Sequence, residues 1–171
     1  AREFEAIGHR HHDVGDHEPG PVLARQRQRL SAIALLLLLA LALRRGGQPE
    51  KWIAIAITAA FFLDTALHMI LGRAGFRTFE PLIFVPDAGI FGVELWVALR
   101  ANRWWPICAT ALQLIVLIGH IAKALQISGM PAVYWGMTTL PLYLQLGVLL
   151  AGIYAHASRV AARGPSPDWR L

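Results

Sequence analysis

Charge and cysteine are scarce in this sequence. Only 16% of its 171 residues are charged, whereas a soluble domain of this size carries about a quarter. The single cysteine, Cys108, excludes an internal disulfide and any metal site built from several cysteines. The chain also lacks a nucleophile elbow, a P-loop and a dinucleotide-binding fingerprint. The sequence therefore does not indicate a soluble hydrolase, nucleotide hydrolase or dehydrogenase.

Apolar residues make up 56% of the chain and come in long blocks. The blocks are Leu30–Leu43, Ile53–Leu71, Leu82–Leu99, Pro106–Ala122 and Ala132–Ala155. The last four match the roughly 17–25 residues with which a helix crosses a hydrocarbon core of about 30 Å, and the first is shorter. The sequence thus predicts an all-α integral membrane bundle of four transmembrane helices plus a short hydrophobic N-terminal helix, five in total.

The first block resembles a signal peptide, because Arg25, Arg27 and Arg29 precede its leucine run. However, Arg44 and Arg45 stand where the small residues of a cleavage site would be. We therefore expect an uncleaved first helix, which spans only if its flanking arginines extend to the head groups. A helix that lies in the membrane interface is the alternative.

Basic residues are distributed unevenly between the two ends of predicted helices 2–5. The cation-rich side holds Arg44, Arg45, Lys51, Arg100, Arg103, Arg159, Arg163 and Arg170. The other side holds Arg73 and Arg77, offset by Glu80, and Lys123 at a helix end. By the positive-inside rule the cation-rich side, and with it the C-terminus, is cytoplasmic. A spanning first helix would leave its preceding arginines outside, and we expect the four downstream helices to override that signal.

Composition divides the chain into a polar arm (residues 1–28), the helix bundle (29–158) and a cytoplasmic tail (159–171). The arm contains His9, His11, His12, His17, Asp13 and Asp16. Such side chains can bind a transition metal, although no pair has a structural-zinc spacing and a polar arm without metal is the simpler interpretation. The net charge of +5 does not indicate a nucleic-acid partner, because the arginines flank predicted spans, where they contact the lipid bilayer.

Predicted helices 2–4 each carry two polar residues spaced four or seven positions apart. These pairs are Asp64 and His68, Asp87 and Glu94, and Gln113 and His120. The spacings place both members of a pair on one helix face. At about 1.5 Å per residue, His68, Asp87 and His120 share one level near the outer face, and Glu94 and Gln113 lie deeper. Polar stripes that face lipid are costly, so we expect these six side chains to form an internal polar seam.

Three interpretations of the seam are open. In the first, hydrogen bonds such as Asp64–His68 and Glu94–Gln113 align the helices. In the second, His68 and His120 are axial haem ligands, or bind a metal together with Asp87. In the third, protons or a substrate pass along Glu94, Gln113, Asp64 and His120. The sequence demands no cofactor.

Pairs of small residues one turn apart occur on helices 3 and 5. They are Ala88 with Gly92 and Gly147 with Ala151. This spacing allows the backbones of neighbouring membrane helices to approach closely. We therefore expect close helix contacts at both pairs.

A cation-rich turn with Trp-Pro opens helix 4, which then carries Gln and His seven residues apart. The residues that form this pattern are Arg100, Arg103, Trp105, Pro106, Gln113 and His120. Over about residues 44–157 the chain resembles a family of uncharacterised small bacterial inner-membrane proteins. The resemblance implies a multi-pass protein of the bacterial inner membrane and marks these residues as candidates.

The chain also has a weaker similarity to four-helix sterol-isomerase and sigma-2-receptor membrane domains. Those domains carry acidic residues on the first two helices of a four-helix core, which Asp64 and Glu94 loosely match. That similarity would imply an enzyme or carrier for a lipid-soluble ligand. The short loop at residues 127–133 departs from the family, and its further catalytic positions have no counterpart here.

Two functions from different classes follow from these patterns. The leading hypothesis is an accessory or structural subunit of a larger membrane complex, with helices 2–5 as the anchor and the arm as a contact. The alternative is a membrane enzyme or carrier that binds a lipid-soluble ligand, haem or a metal in the seam.

Overall fold

The computed structural model describes residues 21–71, 81–125, 131–165 and 167–169. Within them the regular structure is entirely helical: α1 (Pro21–Arg45), α2 (Gln48–Leu71), α3 (Pro81–Arg100), α4 (Trp105–Ala124) and α5 (Pro131–Arg163). The predicted all-α class and the five helices are thus confirmed for this part of the chain. The histidines and aspartates of the arm lie outside the described residues.

Among the described residues, three helices are long and apolar enough to cross a membrane by length and composition. They are the segments Gln48–Ile70, Trp105–Ala124 and Gly136–Arg163. Their outer faces expose large apolar side chains such as Ile55, Phe62, Ile118 and Leu144. A soluble protein scatters such side chains singly, whereas a lipid-facing surface needs them along the whole helix. The fold is therefore that of a membrane helical protein.

The first helix is longer than predicted. α1 has 25 residues and begins at Pro21, nine residues before the apolar block that was expected to form a short helix. Pro21 suits the first helical position, and the Arg, Gln and Leu residues that follow are good helix formers. The helix ends at Arg45, before Gly46 and Gly47. Hydropathy marked only the leucine-rich half of this helix, because its first half is helical but polar.

The helices pack as a closed ring in which each contacts the next along the chain and α5 returns to α1 and α2. Side chains from all five helices meet in one apolar core, including Leu35, Ile57, Val97, Ala109 and Ile153. Consecutive helices run in opposite directions. One end of the bundle, here named the cationic end, therefore gathers the basic residues Arg44, Arg45, Lys51, Arg100, Arg103, Arg159 and Arg163.

Close helix contacts occur at glycines other than those predicted. A Cβ on Gly92 or Gly147 would meet no atom within 4 Å, so the expected contacts at these two positions are wrong. A Cβ on Gly152 would instead lie 2.7 Å from the Trp105 ring, and one on Gly119 would lie 3.2 Å from Met137 Cβ. Gly152 is needed because the Trp105 indole occupies the space of a side chain there.

Candidate functional site

A buried arginine organises the polar residues at the cationic end. The Arg103 side chain is 2% exposed and lies in the short turn between α3 and α4. Its Nη1 donates to Glu50 Oε1 at 2.5 Å, and its Nη2 donates to His156 Nδ1 at 2.7 Å and to Asp168 Oδ1. The planar guanidinium offers several donors in fixed directions, so one side chain can bind three partners. We name these four residues the Arg103 cluster.

Local structure positions Glu50 for this contact. Glu50 lies in the first turn of α2, where the helix dipole favours an acidic side chain. Trp105, the first residue of α4, donates its indole N–H to Glu50 Oε1 at 3.2 Å. The Glu50 side chain is fully buried, and its Oε2 has no hydrogen-bond partner within the described residues. Of the two described side chains that contact the Glu50 carboxylate, only Arg103 carries a positive charge to compensate it.

The C-terminal tail closes over the same cluster. Asp168 Oδ2 accepts the Gln48 backbone N–H at 2.9 Å, and the Asp168 carbonyl accepts the Asn102 backbone N–H at 3.1 Å. Trp169 forms an isolated bridge with Ala101. The tail thus connects the start of α2 to the turn between α3 and α4, and buries Arg103 beneath it.

A second polar network lies inside the bundle, on the helix faces that the spacing predicted. His120 Nε2 is 2.8 Å from Asp87 Oδ2. Gln113 Nε2 donates to the Asp87 carbonyl at 3.1 Å and to Asp87 Oδ1 at 3.2 Å. The ring of Phe84 packs edge-on against His120, with centroids 6.0 Å apart. Asp87 therefore joins both polar residues of α4 to α3.

Gln145 on α5 is the centre of the deeper part of this network. Its Nε2 lies 2.9 Å from Gln113 Oε1, 3.3 Å from the Ala109 carbonyl, and 3.4 Å from each oxygen of Glu94. Glu94 and Gln113, which were expected to bond directly, are thus linked through Gln145. We name Asp87, Glu94, Gln113, His120 and Gln145 the interior network.

Asp64 and His68 contact each other within α2. His68 Nδ1 lies 2.8 Å from the Asp64 carbonyl and 3.2 Å from Asp64 Oδ1, as their spacing of four residues predicted. Both side chains are partly exposed. The six predicted seam residues therefore comprise this pair on α2 and four residues of the interior network, and Asp64 lies close enough to Asp87 and His120 to interact electrostatically with both.

Metal and haem binding receive no support from the geometry described. In residues 21–71, 81–125, 131–165 and 167–169, no three His, Cys, Asp or Glu side chains converge as metal ligands. His68 contacts Asp64, whereas His120 contacts Asp87. The binding of a cofactor by His68, His120 and Asp87 stays a prediction.

Four residues of the Arg103 cluster and the interior network were not predicted from the sequence: Glu50, Gln145, His156 and Asp168. Gln145 carried a usable signal, because it is an amide within an apolar block, like Gln113. Arg103 was interpreted as a topology signal and as part of the Trp-Pro turn, and neither interpretation predicted its three side-chain partners. Each of these side chains finds its partner on a different helix or in the tail, which spacing within one helix cannot predict.

Comparison of the chain with protein-family models, curated proteins and solved structures finds no significant match. Its function is therefore argued from the geometry of the Arg103 cluster and the interior network.

Proposed function

We propose that the protein is an accessory or structural subunit of a larger complex in the bacterial inner membrane. In this proposal α2–α5 cross the bilayer, and α3 is the fourth span beside the three apolar ones. The cationic end faces the cytoplasm, because it gathers basic residues from α1, α2, α3 and α5 and the turn before α4, and these outnumber the described basic residues of the opposite end, Arg25, Arg27, Arg29 and Lys123. The resemblance to small bacterial inner-membrane proteins supports the same membrane.

The observation that carries this proposal is that the side chains of the interior network form hydrogen bonds with one another. Asp87 bonds to Gln113 and His120, and Gln145 bonds to Gln113. Hydrogen bonds of this kind hold membrane helices in one arrangement, at about 0.6–2 kcal/mol each. A bundle fixed in this way offers a rigid anchor. In the same proposal the part of the polar arm that precedes α1, residues 1–20, contacts the partner subunits.

Native mass after extraction in mild detergent tests the proposal. We expect the full chain to migrate in an assembly much larger than one 18.8 kDa chain with its detergent. Deletion of residues 1–20 should release the bundle from that assembly while leaving its helix content unchanged. A small monomer whose arm is cut readily by protease would contradict the subunit proposal and favour the enzyme or carrier.

A further inference from the structure

Two glutamates in the bundle are equally buried but have different partners. Glu50 and Glu94 are both 0% exposed. Glu50 forms an ion pair with Arg103, whereas the hydrogen-bond partner of Glu94 in the described part of the chain is the uncharged amide of Gln145. An ionised carboxylate away from water requires a cation or several strong donors. Glu50 has a cation, and Glu94 has one amide group at a long distance.

The group around Glu94 has more oxygens than hydrogens to satisfy them. The Gln145 amide carries two N–H donors, yet four oxygens lie within 3.4 Å of its nitrogen: both of Glu94, one of Gln113 and the Ala109 carbonyl. The Gln113 amide nitrogen is already directed to Asp87. The Gln145 Oε1 atom is itself buried without a donor in the described residues. The group therefore lacks at least one hydrogen.

We propose that Glu94 is a proton-binding site in the interior of the bundle. A proton on its carboxyl removes the uncompensated charge and adds an O–H donor to a group of oxygens that lacks one. Ionisable residues within membrane spans face the interior and commonly take part in proton transfer. This inference goes beyond the anchoring role and does not depend on it.

A metal cation fits the same position less well. A cation would need the surrounding oxygens as ligands, but the Gln145 nitrogen occupies the place at which they converge, 2.9–3.4 Å from each of them. An amide N–H₂ group donates and offers no lone pair to a metal. A proton requires no additional space.

The other titratable groups near the interior network have partners of their own. Along α3, Asp87 contacts His120 of α4, and on α2 Asp64 contacts His68. At the cationic end, His156 of α5 contacts Arg103. Gln145 and Gln113 join Glu94 to Asp87 by hydrogen bonds. Proton uptake at Glu94 should therefore alter the hydrogen bonding of the Asp87–His120 pair.

Dicyclohexylcarbodiimide tests the proposal, because this apolar reagent reacts with a protonated carboxyl. The carboxyl O–H adds across a C=N bond to give an O-acylisourea, and transfer of the acyl group from oxygen to nitrogen then leaves a stable N-acylurea on the side chain. The full chain in detergent is treated, digested and mapped by mass spectrometry. We expect the adduct on the peptide containing Glu94 and no adduct on Glu50, its equally buried, arginine-paired counterpart. Labelling should decrease as the pH is raised and should not depend on Na⁺. Protection by Na⁺ at constant pH, or equal labelling of Glu50 and Glu94, would overturn the proposal.

Infrared spectroscopy gives a second readout that does not depend on reagent access. The wild-type protein should show the C=O stretching band of a protonated carboxyl, shifted by transfer to D₂O. The band should be lost in Glu94→Gln and retained in Glu50→Gln. A wild-type spectrum without this band would contradict a protonated Glu94 even if a variant fails to fold.

Discussion

Arg103→Met should lower the free energy of unfolding by about 3–5 kcal/mol, because it leaves the buried Glu50 carboxylate without its cation. The substitution also removes the donors to His156 and Asp168, which should release the tail from the cationic end. The measurement is the unfolding of the purified protein in mixed micelles, followed by the loss of helical circular dichroism. Cleavage of the tail by an added protease reports its release separately.

Arg100→Met is the matched control for this variant. Arg100 lies three residues earlier and is exposed over the Trp96 ring, so its replacement should change stability by no more than about 1 kcal/mol. The double variant Arg103→Met with Glu50→Leu should be more stable than Arg103→Met, because it removes the unpaired charge as well. If Arg103→Met is no more destabilising than Arg100→Met, the Arg103 cluster is not a main source of stability.

Trp105→Ala should lower the free energy of unfolding by about 3–5 kcal/mol, as expected for the truncation of a large buried aromatic side chain. The Trp105 indole is 5% exposed, packs directly against Gly152 of α5 and donates to Glu50. Its removal leaves a cavity between α4 and α5 and weakens the Arg103 cluster at the same time. The same micelle titration measures this change.

The neighbouring Trp104 supplies the control for Trp105→Ala. Trp104 is 75% exposed, so Trp104→Ala should change stability by about 1 kcal/mol or less. Trp105→Phe keeps an aromatic ring but loses the indole N–H, so its stability should be intermediate between those of the two alanine variants. If Trp104→Ala and Trp105→Ala lower the free energy of unfolding by similar amounts, the packing of the Trp105 indole against Gly152 contributes little to stability.

The fold was largely predictable because membrane helices must be apolar over their length. The apolar blocks marked all five helices, and the missing part was the polar first half of α1, which hydropathy cannot detect. The helix ends extend beyond the blocks for a similar reason. α5 continues to Arg163, past the end of its apolar block at Ala155, because backbone hydrogen bonding does not stop where the apolar residues do.

Residue spacing predicted those parts of the candidate site whose side chains lie along one face of a single helix. The seven-residue spacings placed Asp87 and His120 on faces that meet, and the structure brings them to 2.8 Å. Gln145 could not be assigned to the network, because its inclusion depends on how α5 is rotated relative to α3 and α4. The contact of Asp168 with Arg103 joins residues 65 positions apart and depends on the folding of the tail over the bundle.

Cysteine accessibility in intact cells tests whether the bundle spans the membrane with its cationic end in the cytoplasm. The single native cysteine, Cys108, is replaced by serine, and one cysteine is introduced at Asn102 or at Leu125, which are exposed at opposite ends of α4. With a membrane-impermeant maleimide, we predict that Leu125→Cys is labelled in intact cells and that Asn102→Cys is labelled only after permeabilisation. Labelling of Asn102→Cys in intact cells would contradict the proposed orientation, and equal labelling of both would contradict a span by α4.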